Sequence, residues 1–168
     1  MRKSTIIKDL VEMLESALGN SPAASGTPSE RGKVKYIDKD WGQLEMEQPP
    51  VGWPCILIDF EEVEPRQLKG GDEKDTAIIV LTVANRRTTS SSAHAPRDAK
   101  EASYTAIDLT DDVHDLVQGY AASGEYAPLS AVSFYRRSDL PGAECYAMRY
   151  RTTYNVTPSL MALPDENQ

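Results

Sequence analysis

The chain has 168 residues, 40% of them hydrophobic and 7% aromatic, and carries a formal net charge of −8 at pH 7. Its length suits one domain with long loops, residues 1–168. An acidic chain repels a phosphate backbone, no apolar run approaches the ~20 residues that span a bilayer, and the opening MRKSTIIKDLVEMLESA lacks the unbroken apolar segment of a signal peptide. Neither nucleic acid nor a membrane is therefore an expected partner.

Ile6, Ile7, Leu10, Val11, Leu14, Ala17 and Leu18 recur at helical spacing, with Lys8, Asp9, Glu12 and Glu15 opposite them. The pattern predicts an amphipathic helix, capped by Ser4 or Thr5 and ended by Gly19-Asn20 in the left-handed conformation. So short a helix is marginal alone and needs a surface to lie on. SPAASGTPSERG (Ser21–Gly32) has almost nothing to bury, so residues 20–33 read as a flexible connector. KVKYIDKDWGQLEME then alternates weakly around Val34, Tyr36 and Leu44, which predicts one or two short strands. PPVGWP is extended, because the residue before each proline is pushed out of the α region.

The most apolar stretch follows. Cys55–Val63 and Thr76–Ala84 are β-like runs joined by a charged connection that ends in Gly70-Gly71, the pattern of a long antiparallel hairpin. Ile56, Ile58 and Phe60 fall on one face, with Cys55, Leu57 and Asp59 on the other. In the second run Ala77, Ile79, Leu81 and Val83 alternate with Ile78, Val80, Thr82 and Ala84, so both faces are largely apolar. A strand of this kind is central and covered on two sides, by helices on one and by a second layer or a neighbouring subunit on the other. The charged tip, Glu64 to Asp75, has no place in a core and is expected to point away from the body.

After Arg86-Arg87 comes TTSSSAHAPRDAKEAS (88–103), a second tract without periodicity and of the length that is functional or disordered when it occurs inside a domain. TAIDLTDDVHDLVQGY predicts a second helix with Val113, Leu116, Val117 and Tyr120 as its apolar stripe, Asp111 and Asp112 at the positive end of the dipole, and Gly119 as its stop. The strands PLSAVSFYRR and ECYAMRYRTTYNV close the chain around a Pro141-Gly142 turn, leaving a tail that is polar over residues 164–168. Helix, hairpin, helix, hairpin gives an α+β sandwich: a mainly antiparallel sheet of four or more strands with the N-terminal helix and the short second helix packed on it.

No constellation carries evident chemistry. His94 and His114 have no second histidine or cysteine at zinc-ligand spacing, and Cys55 and Cys145 read as buried thiols of a reducing compartment. Asp108, Asp111, Asp112 and Asp115 lack the spacing and glycine of a calcium loop, and a helix start accounts for them. Ser90–Ser92 near His94 form no nucleophile elbow, and Gly70-Gly71 has no Walker lysine after it. Catalytic residues, cofactors and metals are accordingly not expected. The arginines stand out in an acidic chain: Arg86, Arg87, Arg136, Arg137, Arg149 and Arg151 sit at strand ends or on one alternating face. Such a face can meet an acidic face of another subunit and set its register. With Lys69, Gly70, Gly71, Asp72 and Glu73 at the hairpin tip they form the candidate interface. Trp41 and Trp53 are either core anchors or interface anchors.

From Val51 to Val156, PCILIDFEEVEP, TAIIVLTVANRR, DLTDDVHDLVQGY and PLSAVSFYRRSDLPGAECYAMRYRTTY follow one another in an order that resembles the small tail terminator (tail completion) proteins of long-tailed bacteriophages. The resemblance covers about two-thirds of the chain and is one of pattern, without an invariant motif; the insertions Ser21–Gly32 and Thr88–Ser103 and the long entry before Val51 depart from it. It implies an α/β fold with a mixed or antiparallel sheet flanked by helices. It also implies a non-enzymatic virion assembly protein of the tail terminator or head–tail joining type. Such a protein forms a ring, usually a hexamer, which caps the tail tube, faces the head connector and passes from host cytoplasm to virion tail or neck. The residues alone leave two other readings open: a small intracellular enzyme with Glu61, Glu64 or the Asp108–Asp115 group around a cleft, and a generic interaction domain of a mobile element.

Overall fold

The structure is a computed structural model that describes residues 1–19, 32–68, 73–86, 92–122, 124–140 and 142–156. Its elements are α1 (Lys3–Leu18), β1 (Tyr36–Lys39), β2 (Cys55–Gln67), β3 (Glu73–Arg86), α2 (Arg97–Ala102), α3 (Thr105–Val117), β4 (Ser130–Arg137) and β5 (Ala143–Val156). The strands form one five-stranded sheet in the order β1-β2-β3-β5-β4. The architecture is α+β, as the alternation of elements predicts, but the sheet is mixed: β1 runs parallel to β2, and every other pairing is antiparallel.

Directly paired residues point to the same side of a sheet. Ile58, Leu81 and Met148 lie in one such row, Phe60, Ile79 and Tyr150 in the next, so this face carries the odd-numbered residues of β3. Here α1 lays down Ile6, Leu10, Leu14 and Leu18, and α3 adds Leu109, Val113 and Val117; together they make the main core. The i, i+4 spacing of the α1 residues is what aligns them on one stripe. Among the described residues, no helix is long and apolar enough to cross a membrane.

The opposite face has its own smaller cluster: Leu44, Cys55, Leu57, Ala84, Leu140 and Cys145, with Trp53 packed against it. The cover comes from the connection between the parallel strands β1 and β2, which includes a short 3₁₀ turn at Gln43–Glu45. Gln43 holds that connection. It is wholly buried, accepts from the Trp41 N–H at 2.8 Å and donates to the Lys39 carbonyl at 2.8 Å. Gly42, at φ +91°, supplies the left-handed residue that starts the turn. Trp53 is thus a core anchor, whereas Trp41 is 57% exposed.

Several local expectations are corrected. α1 begins at Lys3, so Ser4 and Thr5 lie inside it, and no side chain caps its start. Gly19 is extended at φ −75°, ψ 178°, not left-handed; a side chain there would strike Glu15 of the preceding turn. Asn20 lies outside the described residues. Residues 97–102, read as part of a tract without regular structure, form the six-residue helix α2. α3 starts at Thr105, so Asp111 and Asp112 fall beyond its first turn, whose acidic residue is Asp108. Gly119, at φ +78°, does follow the end of α3, and its N–H donates to the Leu129 carbonyl at 2.8 Å.

Leu10→Ala is expected to cost about 2–5 kcal/mol, because it opens a cavity at a wholly buried position of the stripe that seats α1, and a lowered denaturation midpoint with an unchanged slope will show it. Burial pushes the Cys55 thiol up to about 12 and Cys145 to about 11. Both are free and buried, so neither should react with a thiol reagent at pH 8 until denaturant is added.

Candidate functional site

The described candidate interface residues fall at the two ends of the sheet and along β5 between them. At one end the β2–β3 hairpin runs past the core: Glu64, Pro65, Arg66 and Gln67 pair with Thr76, Asp75, Lys74 and Glu73, and all four β2 residues are exposed. β1 pairs with only the first four residues of β2, so the rest of β2 is a sheet edge. Glu73 is the first residue of β3, half-buried between Gln67 and Val156. Lys69, Gly70, Gly71 and Asp72 lie outside the described residues, as does Arg87.

At the other end stand Arg86, at the close of β3, and Arg136 and Arg137, at the close of β4. Arg137 forms a two-pronged pair with Asp139, Nη2 to Oδ2 at 2.7 Å and Nε to Oδ1 at 3.2 Å. This hydrogen bonding holds the Asp139 carboxyl below the usual range and raises the guanidinium. Arg86 lines a cavity of about 850 Å³ together with Trp53, Glu45, Glu47 and Asp139. Arg136 pairs across the ladder with Tyr146 and so points to the helix side, while Arg137 pairs with Cys145 and points to the opposite side.

Between these ends, Arg149 and Arg151 project from β5 onto the face away from the helices. That face is striped. β2 contributes Asp59, Glu62 and Glu64, β3 contributes Val80, Ile78 and Thr76, and β5 contributes Arg149 and Arg151 in the same rows. The bulge between Phe60 and Glu62 frees Glu61 to accept from Arg149 Nε across the central strand. The charged side chains thereby lie over Val80 and Ile78, and their aliphatic stems supply cover that the Asp40–Pro54 connection does not reach. A groove of about 380 Å³ remains between Glu62, Glu64, Ile78 and Arg151.

No family model matches the chain, and no curated protein matches it. Solved structures do. The fold is similar to that of a chain in the virion of a native gene transfer agent (GTA) particle, with a TM-score of 0.53 and 11% identity over 89% of this chain and 92% of that one. The likeness is one of fold.

The acidic residues of α3 do not converge. Asp112 pairs with Lys33 at 2.8 Å, and Asp108, Asp111 and Asp115 are exposed around the helix. Among the described residues, no group of three or more His, Cys, Asp or Glu is placed to hold a metal ion. His114 is instead in hydrogen-bond contact with the Tyr150 hydroxyl, Nδ1 to Oη 3.1 Å.

The strand predicted at PLSAVSFYRR is present as β4, and what sequence reasoning missed is its place in the sheet and its exposure. It is the second edge of the sheet, and every residue from Ser130 to Arg136 is exposed. Val132 is 42% accessible, Phe134 51% and Tyr135 44%, with only Phe134 partly covered by its stack on Tyr146. The pattern SAVSFYRR did carry a signal: unlike β5 it lacks strict alternation, which a strand with one buried face would show.

The Glu61–Arg149 pair is about a third exposed, with side-chain accessibilities of 40% and 28%. A double-mutant cycle with Glu61→Gln and Arg149→Gln should return a coupling of about 1 kcal/mol or less, falling further in high salt.

Proposed function

We propose that this chain is a structural component of a phage-type particle, of the tail terminator or head–tail joining type, and assembles with copies of itself into a closed ring at the end of a tail tube. The carrying observation is the similarity of fold, over nearly the whole of both chains, to a chain of a gene transfer agent virion. The surface is consistent with that role. Two unpaired sheet edges, β4 and the outer part of β2, are long for a chain of this size, and exposed edges are templates for pairing with another chain. The order of elements from Val51 to Val156, which resembles the tail terminators, supports the finer reading; the ring is taken to be a hexamer on the same ground.

In this reading Lys69–Glu73, Arg86, Arg87, Arg136, Arg137, Arg149 and Arg151 are contact residues; of those described, Glu73 opens β3, Arg86, Arg136 and Arg137 stand at the other end of the sheet, and Arg149 and Arg151 lie between. A ring of one subunit type closes through head-to-tail contacts, which require two different surfaces on each copy. The tube protein and the head connector are the partners on the ring's two sides.

Electron microscopy of the purified protein, with mass by light scattering over a range of concentrations, should show closed rings whose formation weakens with salt. A chain that remains monomeric at high concentration and does not bind tail tubes overturns the proposal. Replacing Leu68–Asp72, the residues between the paired Gln67 and Glu73, by Asn-Gly, a favoured two-residue hairpin turn, is expected to leave the monomer folded and to reduce ring formation. Unchanged ring formation would make the tip a connection only.

A further inference from the structure

We propose that β4 of one copy pairs antiparallel with the outer edge of β2 in the next, joining two sheets into one, with Phe134 facing Val63 and Arg136 facing Phe60. The inference deepens the self-assembly reading above and rests on it in taking a second copy as the partner.

Backbone hydrogen bonding fixes which groups each edge offers. On β2 the Pro54 and Ile58 carbonyls accept from the Lys35 and Asp40 N–H groups, both at 2.8 Å, so even-numbered residues turn outward as far as Phe60. The bulge at Glu61 resets the alternation. Phe60 pairs with Ile79, so the next bonds to β3 join Glu62 to Ile78, and Val63 and Pro65 turn outward. Pro65 thus sits where its missing N–H costs the ladder nothing. On β4 the outward N–H of Ala131 donates to Gln118 Oε1 at 2.9 Å. Ala131 pairs with Tyr150, so the next bonds to β5 join Ser133 to Arg149 and Tyr135 to Ala147, and Phe134 and Arg136 face outward.

The two windows match. Set antiparallel, Phe134 meets Val63 and Arg136 meets Phe60, with the bulged Glu61 left over, and the outward backbone groups of these residues satisfy one another. Beyond Phe60 the next outward residue of β2 is Ile58, whose carbonyl is already taken by Asp40. At the other end Ala131, its N–H already used, comes opposite Pro65, which has none. Pairing stops where neither strand has more to offer.

The faces and charges agree with this register. Phe60, Val63, Phe134 and Arg136 all belong to the helix side of their own sheets. Phe134 and Val63 therefore form an apolar cross-strand pair beside Phe60, at a groove of about 470 Å³ whose lining includes Ile7 and Val11 of α1. On the opposite face Arg137 stands beside Asp59 and Tyr135 beside Glu62. From Asp59 to Pro65 β2 carries acids and no base, whereas β4 carries arginines and no acid. Two β4 edges set against each other would instead gather the arginines of both copies with no acid among them. Direction agrees as well: β2 and β4 run oppositely within one sheet, so a neighbour in the same orientation brings them together antiparallel. They are opposite edges with β3 and β5 between them, so one chain cannot make the contact with itself.

The test uses the full-length chain. Tyr135 and Glu62, both exposed, become a facing pair without ladder bonds, Cα atoms ~4.5 Å apart, a spacing that a disulfide spans. Glu62→Cys combined with Tyr135→Cys should give, on mild oxidation, a ladder of covalent oligomers that ends at the ring. A mixture of the two singly substituted chains should stop at a dimer, and neither alone should cross-link, since Cys55 and Cys145 are buried. Phe134→Pro removes an outward N–H and leaves the bonds to β5 whole. It should keep the parent circular dichroism spectrum and weaken self-association, followed by sedimentation velocity, by about tenfold or more. A Tyr135→Cys chain that links to itself places β4 against β4 and overturns the contact. Rings that form as before in Phe134→Pro, without a 62–135 cross-link, overturn it while the ring reading stands. If 62–135 cross-links join chains that build only dimers or open filaments, the contact is upheld and the ring reading fails.

Discussion

The molecule depends on burying β3 from both sides. Helices α1 and α3 cover the row Ala77, Ile79, Leu81 and Val83, but Thr82 and Ala84 of the alternate row are just as inaccessible. Their cover begins with a consequence of parallel pairing. Two neighbouring parallel strands cannot be joined by a tight turn, so the chain must cross back over the sheet between them. Here the crossing is Asp40–Pro54, laid over the face away from the helices and pinned by wholly buried Gln43, whose amide uses both its donor and its acceptor within the connection. Loss of that amide would leave two backbone groups of the turn without partners, a cost of roughly 1–3 kcal/mol for each one that stays buried.

The rest of that face is covered by a different device. Acidic side chains on β2 and basic ones on β5 reach toward each other over an apolar central strand, and Glu61 and Arg149 meet. Partly exposed pairs contribute little net energy. Their structural effect is geometric: long charged side chains roof Ile78 and Val80 while keeping their heads in water. The arginines that stand out in an acidic sequence are thus of two kinds. Arg149 and Arg137 are spent within the subunit, on Glu61 and Asp139, while Arg136 and Arg151 are exposed at or beside the β4 edge.

Strong periodicity carried the sequence reading where it succeeded. The α1 stripe, the two-faced apolar pattern of 76–84 and the alternation of 143–156 each follow from a face being buried, and each became the expected element. Where burial does not write the pattern, the reading lost its signal. β1 has four residues, and nothing in its composition says that it lies parallel to its neighbour. α2 buries no side chain and so leaves no stripe to find. The ends of α1 are set by backbone contacts, which is why Ser4, Thr5 and Gly19 misled. The arginines could be named in advance, but their division between internal pairs and exposed positions depends on strand register, and the bulge that frees Glu61 is not visible in local sequence.

The two halves of the candidate interface lie at opposite ends of β3, roughly 40 Å apart by strand rise, since Glu73 opens that strand and Arg86 closes it. Within one subunit they cannot act together. Between subunits they can. Val156 pairs with Glu73, so β5 ends beside the start of β3, at the hairpin end of the sheet. In the ring proposed above, the hairpin end of one copy can meet the exposed β4 edge of another. Unlike surfaces meet in such a contact, each copy serves as donor on one side and acceptor on the other, and the repeat of that step either closes or extends indefinitely. Closure is then set by the angle between the donor's hairpin end and the acceptor's edge, and the sheet twist, which fixes how far β4 is rotated from β3, is the main determinant of that angle.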